Sequence, residues 1–291
     1  MKIRLQGHEK FTLRDGWITK GLDILSEEKV STVFSSDSAP DVFGIGTNMV
    51  KSLRFWLKAF CLTEDVKAGV KLSELGKIIK KNDYYIEDIF TLWILHSNIV
   101  KNCEIATSWY VFFNKFDLVE FDKENLLQAM VQELTKIKDE NTKSISQKSL
   151  SSDLDVLLSM YSKGRTTEDP EDKNSSPFAQ LGLIKQAENK KYVRTSPDKR
   201  ILNEYLVLYE ISDHLKNSDS LSIASLLEGD NSLTAIYHMS VIDINRFLDI
   251  LQDKGYIVVN RTAGLDVIYK TAEITNWEVL EEYYKQNGKR G

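Results

Sequence analysis

The sequence predicts a mainly α-helical fold with small β-hairpins and with winged helix–turn–helix units at the N- and C-terminal ends. Apolar residues recur at helical spacing through most of the chain. Two β-rich runs, "YIVVNRT" and "LDVIYK", are separated by Ala-Gly near the C-terminus, which is a hairpin signal. The helical run "SVIDINRFLDILQDKG" precedes that hairpin, and this order is typical of a winged helix–turn–helix.

The first half of the chain reads as a succession of helices. The aromatic segment "TSWYVFFNKF" is expected to be buried, as a helix or a strand, and core packing is favoured over base stacking. Pro40 is suited to open the next helix along the chain, and Asp122 to cap the helix that follows it. The predicted helices span residues 17–25, 47–62, 72–79, 87–100 and 122–137.

The second half begins with a polar segment, 138–149, that predicts a linker. The composition of "GRTTEDPEDKNSSP" predicts a mobile loop, and a hairpin is predicted at the end of "FAQLGLIKQAENKKYVRT". The predicted helices are 152–162, 202–216, 220–228 and 241–254.

A helix followed by a polar hairpin recurs near residues 53–65, 178–195 and 247–270, which predicts repeated winged-helix units. The predicted domains are therefore an N-terminal helix–turn–helix-like domain (1–137), a linker with a middle helical and hairpin segment (138–200), and a C-terminal winged-helix domain (201–291).

The composition is that of an ordinary globular protein: 42% of the 291 residues are hydrophobic and 28% are charged. The chain has no apolar run near the ~20 residues that span a bilayer. The N-terminal "MKIRLQGHEKF" lacks the apolar stretch of a secretion signal. We expect a cytoplasmic location and no membrane partner.

Neither the cysteines nor the histidines form a local metal motif. Cys61 and Cys103 lack CxxC spacing, which argues against a disulfide framework or a zinc site. The histidines are scattered, so only a site assembled across the fold stays open; they are His8, His96, His214 and His238.

Charge is distributed unevenly along the chain. The net charge is −5, yet residues 44–81 hold eight basic and three acidic residues, a local +5. Because phosphate contacts respond to local potential, a basic patch on an acidic protein is a credible footprint for DNA.

The segment "GIGTNMVKSLRFWLKAF" predicts a helix with two chemically different faces. An apolar face is formed by Met49, Val50, Leu53, Trp56, Leu57 and Phe60. The opposite face holds Thr47, Lys51, Arg54 and Lys58. Gly44 permits a sharp turn before the helix, and Gly46 leaves space at its N-terminus. This arrangement favours DNA contact, with Asn48 beside Thr47 near base edges or phosphate and with Arg14 and Lys20 extending the patch. The alternative is a solvated basic face.

The C-terminal helix and hairpin give a weaker signal. Arg246 and Arg261 are candidate phosphate contacts, but four nearby aspartates offset their charge. A protein-docking role for this end of the chain carries equal weight.

Several separated blocks resemble the DUF4007 family. They include "GHEKFTLRDGWITKGLDIL", "GIGTNMVKSLRFWLKAFCL", "DYYIEDIFTLWILH", "WYVFFNKF", "SSDLDVLLSMY" and "SPFAQLGLI". The resemblance implies a role in bacterial DNA phosphorothioate modification, an antiphage defence. The implied partners are DNA, a cysteine desulfurase, a PAPS-reductase-like sulfurtransferase and an ATPase.

The resemblance also implies an alternative, since a similar component of the single-stranded version of that system is regarded as a DNA-binding nickase. Nicking usually needs a divalent metal, Mg²⁺ or Mn²⁺, held by carboxylates. His8 and Glu9 are the candidate base or ligand, with hydrogen bonding to Arg14 as their structural alternative. The carboxylates of Asp83, Glu87 and Asp88 are a second candidate set, or a loop and helix cap.

Three functions are thus carried forward. The first is a DNA-binding subunit that positions duplex DNA for sulfur insertion. The second is a metal-dependent nickase. The third is a scaffold that docks proteins through its winged helices.

Overall fold

The computed structural model describes residues 1–25, 29–140, 144–164, 175–262, 265–271 and 274–287. The predicted mobile loop at 164–177 and the Ala-Gly turn of the last hairpin fall largely outside these residues. The described chain is mainly helical with small antiparallel sheets, which confirms the predicted fold class at that level. It divides into two compact units, Met1–Thr195 and Ser196–Gly291.

The first unit contains eight α-helices and five strands within its described residues. The helices are α1 (Trp17–Ile24), α2 (Ala39–Phe43), α3 (Thr47–Ala59), α4 (Glu74–Asn82), α5 (Ile89–Lys101), α6 (Thr107–Asn114), α7 (Lys123–Ile137) and α8 (Gln147–Ser162). The strands are β1 (Thr63–Val66), β2 (Gly69–Leu72), β3 (Glu120–Phe121), β4 (Ile184–Gln186) and β5 (Tyr192–Arg194).

The second unit contains five α-helices and three strands among the residues that the structure describes. The helices are α9 (Glu204–His214), α10 (Ile223–Leu227), α11 (Leu233–Tyr237), α12 (Val241–Asp253) and α13 (Asn276–Asn287). The strands are β6 (Ser220–Ser222), β7 (Ile257–Thr262) and β8 (Leu265–Lys270).

Local capping explains most helix starts. The side chain of Asp122 accepts a hydrogen bond from the Asn125 amide and so caps α7, as predicted. The aromatic segment at 107–116 is the helix α6. Two predictions differ from the structure: α8 begins five residues earlier than predicted, because Ser146 caps it, and the predicted helix at 220–228 begins with strand β6.

One strand-pairing order occurs three times in the described chain. Strand β3 pairs with β5, which pairs with β4, and β6 pairs with β8, which pairs with β7. The first hairpin repeats the pattern in reduced form, since Ser31 forms a bridge to Val70 of β2, and β2 pairs with β1. In each case an earlier segment lies beside the second strand of a hairpin, and helices lie between them in sequence.

Gly69 is needed for the first of these pairings. Its φ is +146°, and an added Cβ would lie 2.3 Å from the carbonyl oxygen of Ser31. The two backbones approach so closely because Ser31 and Val70 exchange both backbone hydrogen bonds, at 2.7 and 2.9 Å. Only glycine provides both the space and the backbone conformation.

The core of the first unit joins residues from distant parts of the sequence. Trp56 of α3 packs edge-on against Trp109 of α6 and stacks on Phe60. Phe60 in turn stacks on Phe178, which follows α8 in the chain. The segment predicted as a linker and middle region (138–200) therefore contributes to the same core as α3 in this unit, although the three-part domain division stays a prediction.

No helix among the described residues is both long enough and apolar enough to cross a membrane.

Candidate nucleic-acid interface

The turn before α3 is built by Gly44 and by a lysine. Gly44 ends α2 in the left-handed conformation, with φ +62°. Lys20 donates a hydrogen bond from Nζ to the carbonyl oxygen of Phe43, at 2.8 Å, and so satisfies a carbonyl at the end of α2. Lys20, predicted as a DNA contact, thus stabilises the turn that orients α3.

Helix α3 has the two faces that its sequence predicts. Its buried side comprises Val50, Ser52, Leu53, Phe55, Trp56, Leu57 and Ala59. Thr47, Asn48 and Lys51 are exposed, whereas Arg54 and Lys58 are half-buried. The solvent face is narrower than predicted, because Phe55 also points inward.

A groove of about 470 Å³ runs along the basic face of α3. It is lined by Arg4, Gly7, Glu9, Phe34, Val50, Lys51, Arg54, Phe55, Lys58, Asp65 and Ile105. Four basic and two acidic side chains line the groove, so its net charge attracts anions. The three predicted phosphate contacts of α3, Lys51, Arg54 and Lys58, all line this groove.

The cations of this groove differ in their partners. Arg54 donates from Nη2 to Oδ1 of Asp65 at 2.9 Å, and Lys58 donates to the other carboxylate oxygen. Lys51 has only a long hydrogen bond of 3.4 Å to Asn48, and the side chain of Arg4 has no partner among the described residues. Arg4 and Lys51 are therefore the cations with the most freedom to meet a ligand.

The two ion pairs keep Asp65 ionised. Hydrogen bonds from Lys58, and then from Arg54, hold the pKa of the Asp65 carboxyl below its usual 3.8, although partial burial opposes the shift. Asp65 belongs to β1, where it faces Val70 across the ladder, so its position is fixed by the hairpin.

Sequence reasoning did not assign Arg4 and Asp65 to this site. Arg4 precedes Lys51 by 47 positions, and its backbone amide is held by Thr107 Oγ1. No local pattern reveals a contact over such a separation. From the sequence alone, Asp65 is one of three acidic residues that reduce the net charge of residues 44–81.

Arg14 and Lys20 do not line the groove. The guanidinium of Arg14 lies over the rings of Phe11 and Trp17, at 6.0 and 5.5 Å from their centroids. Their assignment to a DNA-binding patch stays a prediction.

The two basic candidates of the second unit are engaged by its own acids. Arg246 lies over the ring of Phe247 and 3.9 Å from Asp243. Arg261 donates to Asn245 at 2.8 Å and lies 3.7 Å from Asp249. Their contact with DNA also stays a prediction, and the compensated charge does not favour it.

The two catalytic candidates lie in different environments. His8 is fully buried, with its Nε2 3.0 Å from Oδ1 of Asp153 and its Nδ1 accepting from the Lys10 amide. This geometry favours a structural role, and it pairs His8 with Asp153 instead of Arg14. Glu9 is half-buried and lines the groove. Their catalytic role stays a prediction.

The carboxylates around Asp83 serve local backbone structure. Asp83 accepts hydrogen bonds from the amides of Glu87 and Asp88 and from the hydroxyl of Thr91. Asp88 caps α5 by accepting from the Phe90 amide. Among the described residues, no group of three or more His, Cys, Asp or Glu side chains is arranged to hold a metal ion.

A second cleft in the first unit, about 1140 Å³, has a different character. Its described charged lining residues are Asp15, Glu87 and Lys185. Among these described residues the acids outnumber the base, so they do not favour contact with a phosphate backbone.

The family model described as "Protein of unknown function (DUF4007)" matches residues 5–284. The chain belongs to the DUF4007 family. This confirms the resemblance seen in the sequence blocks. No curated protein matches the chain.

Two solved structures share the fold of this DUF4007 member. One is described as "SspB crystal structure", with a TM-score of 0.84, and the other as "Magnesium ion-bound SspB crystal structure", with a TM-score of 0.83. Each is 24% identical in sequence, and each alignment covers 97% of this chain and 88% of the other. The similarity therefore extends through both units.

Proposed function

We propose that this protein is a DNA-binding subunit of a bacterial DNA phosphorothioate modification system, where it positions duplex DNA for sulfur insertion by partner enzymes. The observation that carries the DNA-binding part is the groove along α3, where Arg4, Lys51, Arg54 and Lys58 face one space. The biological setting, including the desulfurase, sulfurtransferase and ATPase partners, is what the DUF4007 resemblance implies.

We further propose that the three recurrent strand pairings are winged-helix units. In the first unit, α2, the Gly44 turn and α3 would form the helix–turn–helix, and the β1–β2 hairpin would form its wing. What supports this is the element order and the pairing of Ser31 with β2. Helix α3 would then lie in the major groove, with its N-terminal residues nearest the base edges.

The DNA-binding proposal is tested by the triple variant Lys51→Ala/Arg54→Ala/Lys58→Ala. Fluorescence anisotropy with a labelled duplex should show loss of binding, because three of the four cations that line the groove are removed. The melting temperature should stay close to that of wild type, since these side chains lie on the solvent side of α3. Unchanged affinity would reject the assignment.

A matched control removes three lysines outside the groove. Lys123, Lys136 and Lys191 each form one ion pair on the surface of the first unit. Their triple alanine variant has the same net charge as the test variant. It should retain binding, which separates a local site from general electrostatic attraction.

The nickase remains the second candidate, favoured by the description of one structural neighbour as bound to magnesium. The groove does not fit a metal centre. Its lining contains only two described carboxylates, Glu9 and Asp65, and Asp65 is already paired with Arg54 and Lys58. Incubation with supercoiled plasmid, with Mg²⁺ or Mn²⁺ and with EDTA, tests the activity. Relaxed circles above the no-protein control, lost in Glu9→Ala, would support it. Their absence would reject it.

The scaffold alternative is favoured by the second unit, where Arg246 and Arg261 are compensated by acids. Co-purification from cells with nuclease treatment tests it. Partners that remain after nuclease treatment are held by protein contacts, whereas partners that are lost are held by DNA.

A further inference from the structure

The four basic residues of the groove fall into two groups that differ in whether they form an ion pair with an acid. Arg4 and Lys51 form no ion pair among the described residues, whereas Arg54 and Lys58 share the carboxylate of Asp65. A phosphate placed against Arg54 and Lys58 would also lie near the negative charge of Asp65. The second group is therefore poorly suited to contact the phosphate backbone.

The same contact makes Arg54 suited to another task. Only Nη2 of its guanidinium is used, and the other N–H donors have no partner among the described residues. Asp65 is anchored in the ladder of β1, so it restricts the orientation of the guanidinium plane. The side chain of Arg54 is still 39% exposed. A ligand can therefore reach the free donors.

An oriented guanidinium with free parallel donors matches one base edge in particular. Guanine presents O6 and N7 as two adjacent acceptors in the major groove, and arginine binds both at once. Cytosine offers a donor there, and adenine offers one acceptor and one donor. A lysine in place of Arg54 would keep the charge but lose the paired geometry.

We propose that Arg54 is a specificity-determining residue that reads guanine, that Asp65 is its positioning residue, and that Arg4 and Lys51 supply the phosphate contacts. This inference rests on the proposed DNA-binding function, and it adds to that binding a preference for guanine at one base pair.

The test is a binding selection on the full-length protein. The probe is a pool of duplexes with a randomised central segment, sequenced before and after capture. Wild type should enrich guanine at one position by about tenfold over the other bases. Arg54→Lys and Asp65→Asn should each bind DNA without that enrichment. Lys51→Ala should weaken binding to all duplexes equally and keep the enrichment.

A control lies on the same strand as Asp65. Glu64 pairs with Lys71 at 3.0 Å and does not line the groove. Glu64→Gln removes one negative charge from β1, as Asp65→Asn does, and should keep the guanine enrichment.

Each contrary result has a distinct meaning. If wild type binds duplex DNA but enriches no base, the inference is overturned while the proposed function stands. If Arg54→Lys weakens all duplexes equally and keeps the enrichment, Arg54 is a phosphate contact. If Asp65→Asn raises affinity and keeps the enrichment, Asp65 only competes with DNA. If wild type binds no duplex, the proposed function itself fails, and the inference fails with it.

Discussion

His8 and Asp153 are 145 positions apart in the sequence, and their side chains meet in the interior of the first unit. The Nδ1 of His8 accepts from the Lys10 amide, so the ring proton lies on Nε2 and is donated to Asp153. Asp153 also accepts from the Gln6 amide, at 2.8 Å, and from the Ser108 hydroxyl, at 2.6 Å. One carboxylate thus joins the N-terminal segment, α6 and α8.

Replacing Asp153 with alanine should therefore destabilise the first unit strongly. The change leaves buried donors on His8 and Ser108 without a partner, and we expect a loss of about 3 kcal/mol in the free energy of unfolding. Urea unfolding followed by tryptophan fluorescence measures it, because four of the five tryptophans lie in this unit.

Asp155 provides the matched control for that measurement. It lies two residues later on α8, is 61% exposed at its side chain and forms a surface ion pair with Lys123. Asp155→Ala should cost at most about 0.5 kcal/mol. Equal losses in the two variants would contradict the assigned role of Asp153.

A second prediction about stability concerns Gly69. Gly69→Ala places a methyl group against the Ser31 carbonyl at a backbone conformation that alanine disfavours, so we expect a loss of about 2 kcal/mol. Gly46→Ser is the comparison, since Gly46 has ordinary extended dihedrals and open space at its Cβ. That variant should stay within about 0.5 kcal/mol of wild type. If Gly69→Ala left the free energy of unfolding unchanged, the close approach of the Ser31 backbone to β2 would be contradicted.

The pH dependence of binding should reveal the state of Asp65. Its pKa lies below 3.8, so it is ionised throughout the range from pH 5 to pH 8. The ratio of duplex affinities between Asp65→Asn and wild type should then be constant over that range. If the pKa were raised instead, Asp65 would become protonated towards pH 5, and the ratio would approach one from whichever side it starts. Anisotropy titrations at pH 5, 6.5 and 8 distinguish these cases.

The ion pairs of Asp65 also make the stability of the folded protein depend on pH. Because the folded-state pKa is depressed, their contribution is present above the unfolded pKa and is lost as the pH falls through the folded value. The three side chains are 33–41% exposed, so this contribution to folding is small.

Local sequence patterns predicted the features that depend on local physics. The apolar spacing of α3 predicted its buried side, and the β-rich runs predicted the last hairpin. The glycine at position 44 predicted the turn before α3. Each depends on residues within about one turn or one hairpin of each other.

Contacts between distant segments could not be predicted in this way. The burial of His8 against Asp153 and the presence of Arg4 in the groove both need the tertiary fold. The pairing of Arg54 and Lys58 with Asp65 depends on how the β1–β2 hairpin folds back beside α3. For this reason the sequence pattern predicts the same role for Lys51, Arg54 and Lys58. In the structure, Arg54 and Lys58 are paired with Asp65, whereas Lys51 is not.

The salt dependence of duplex binding tests the central claim most directly. Each phosphate contact contributes about 0.9 to the slope of log affinity against log salt concentration. The double variant Arg4→Ala/Lys51→Ala should therefore bind duplex DNA with a slope shallower than that of wild type by about 1.8. The control Lys123→Ala/Lys191→Ala should keep the wild-type slope. A slope unchanged by the loss of Arg4 and Lys51 would contradict the assignment of this groove to the DNA backbone.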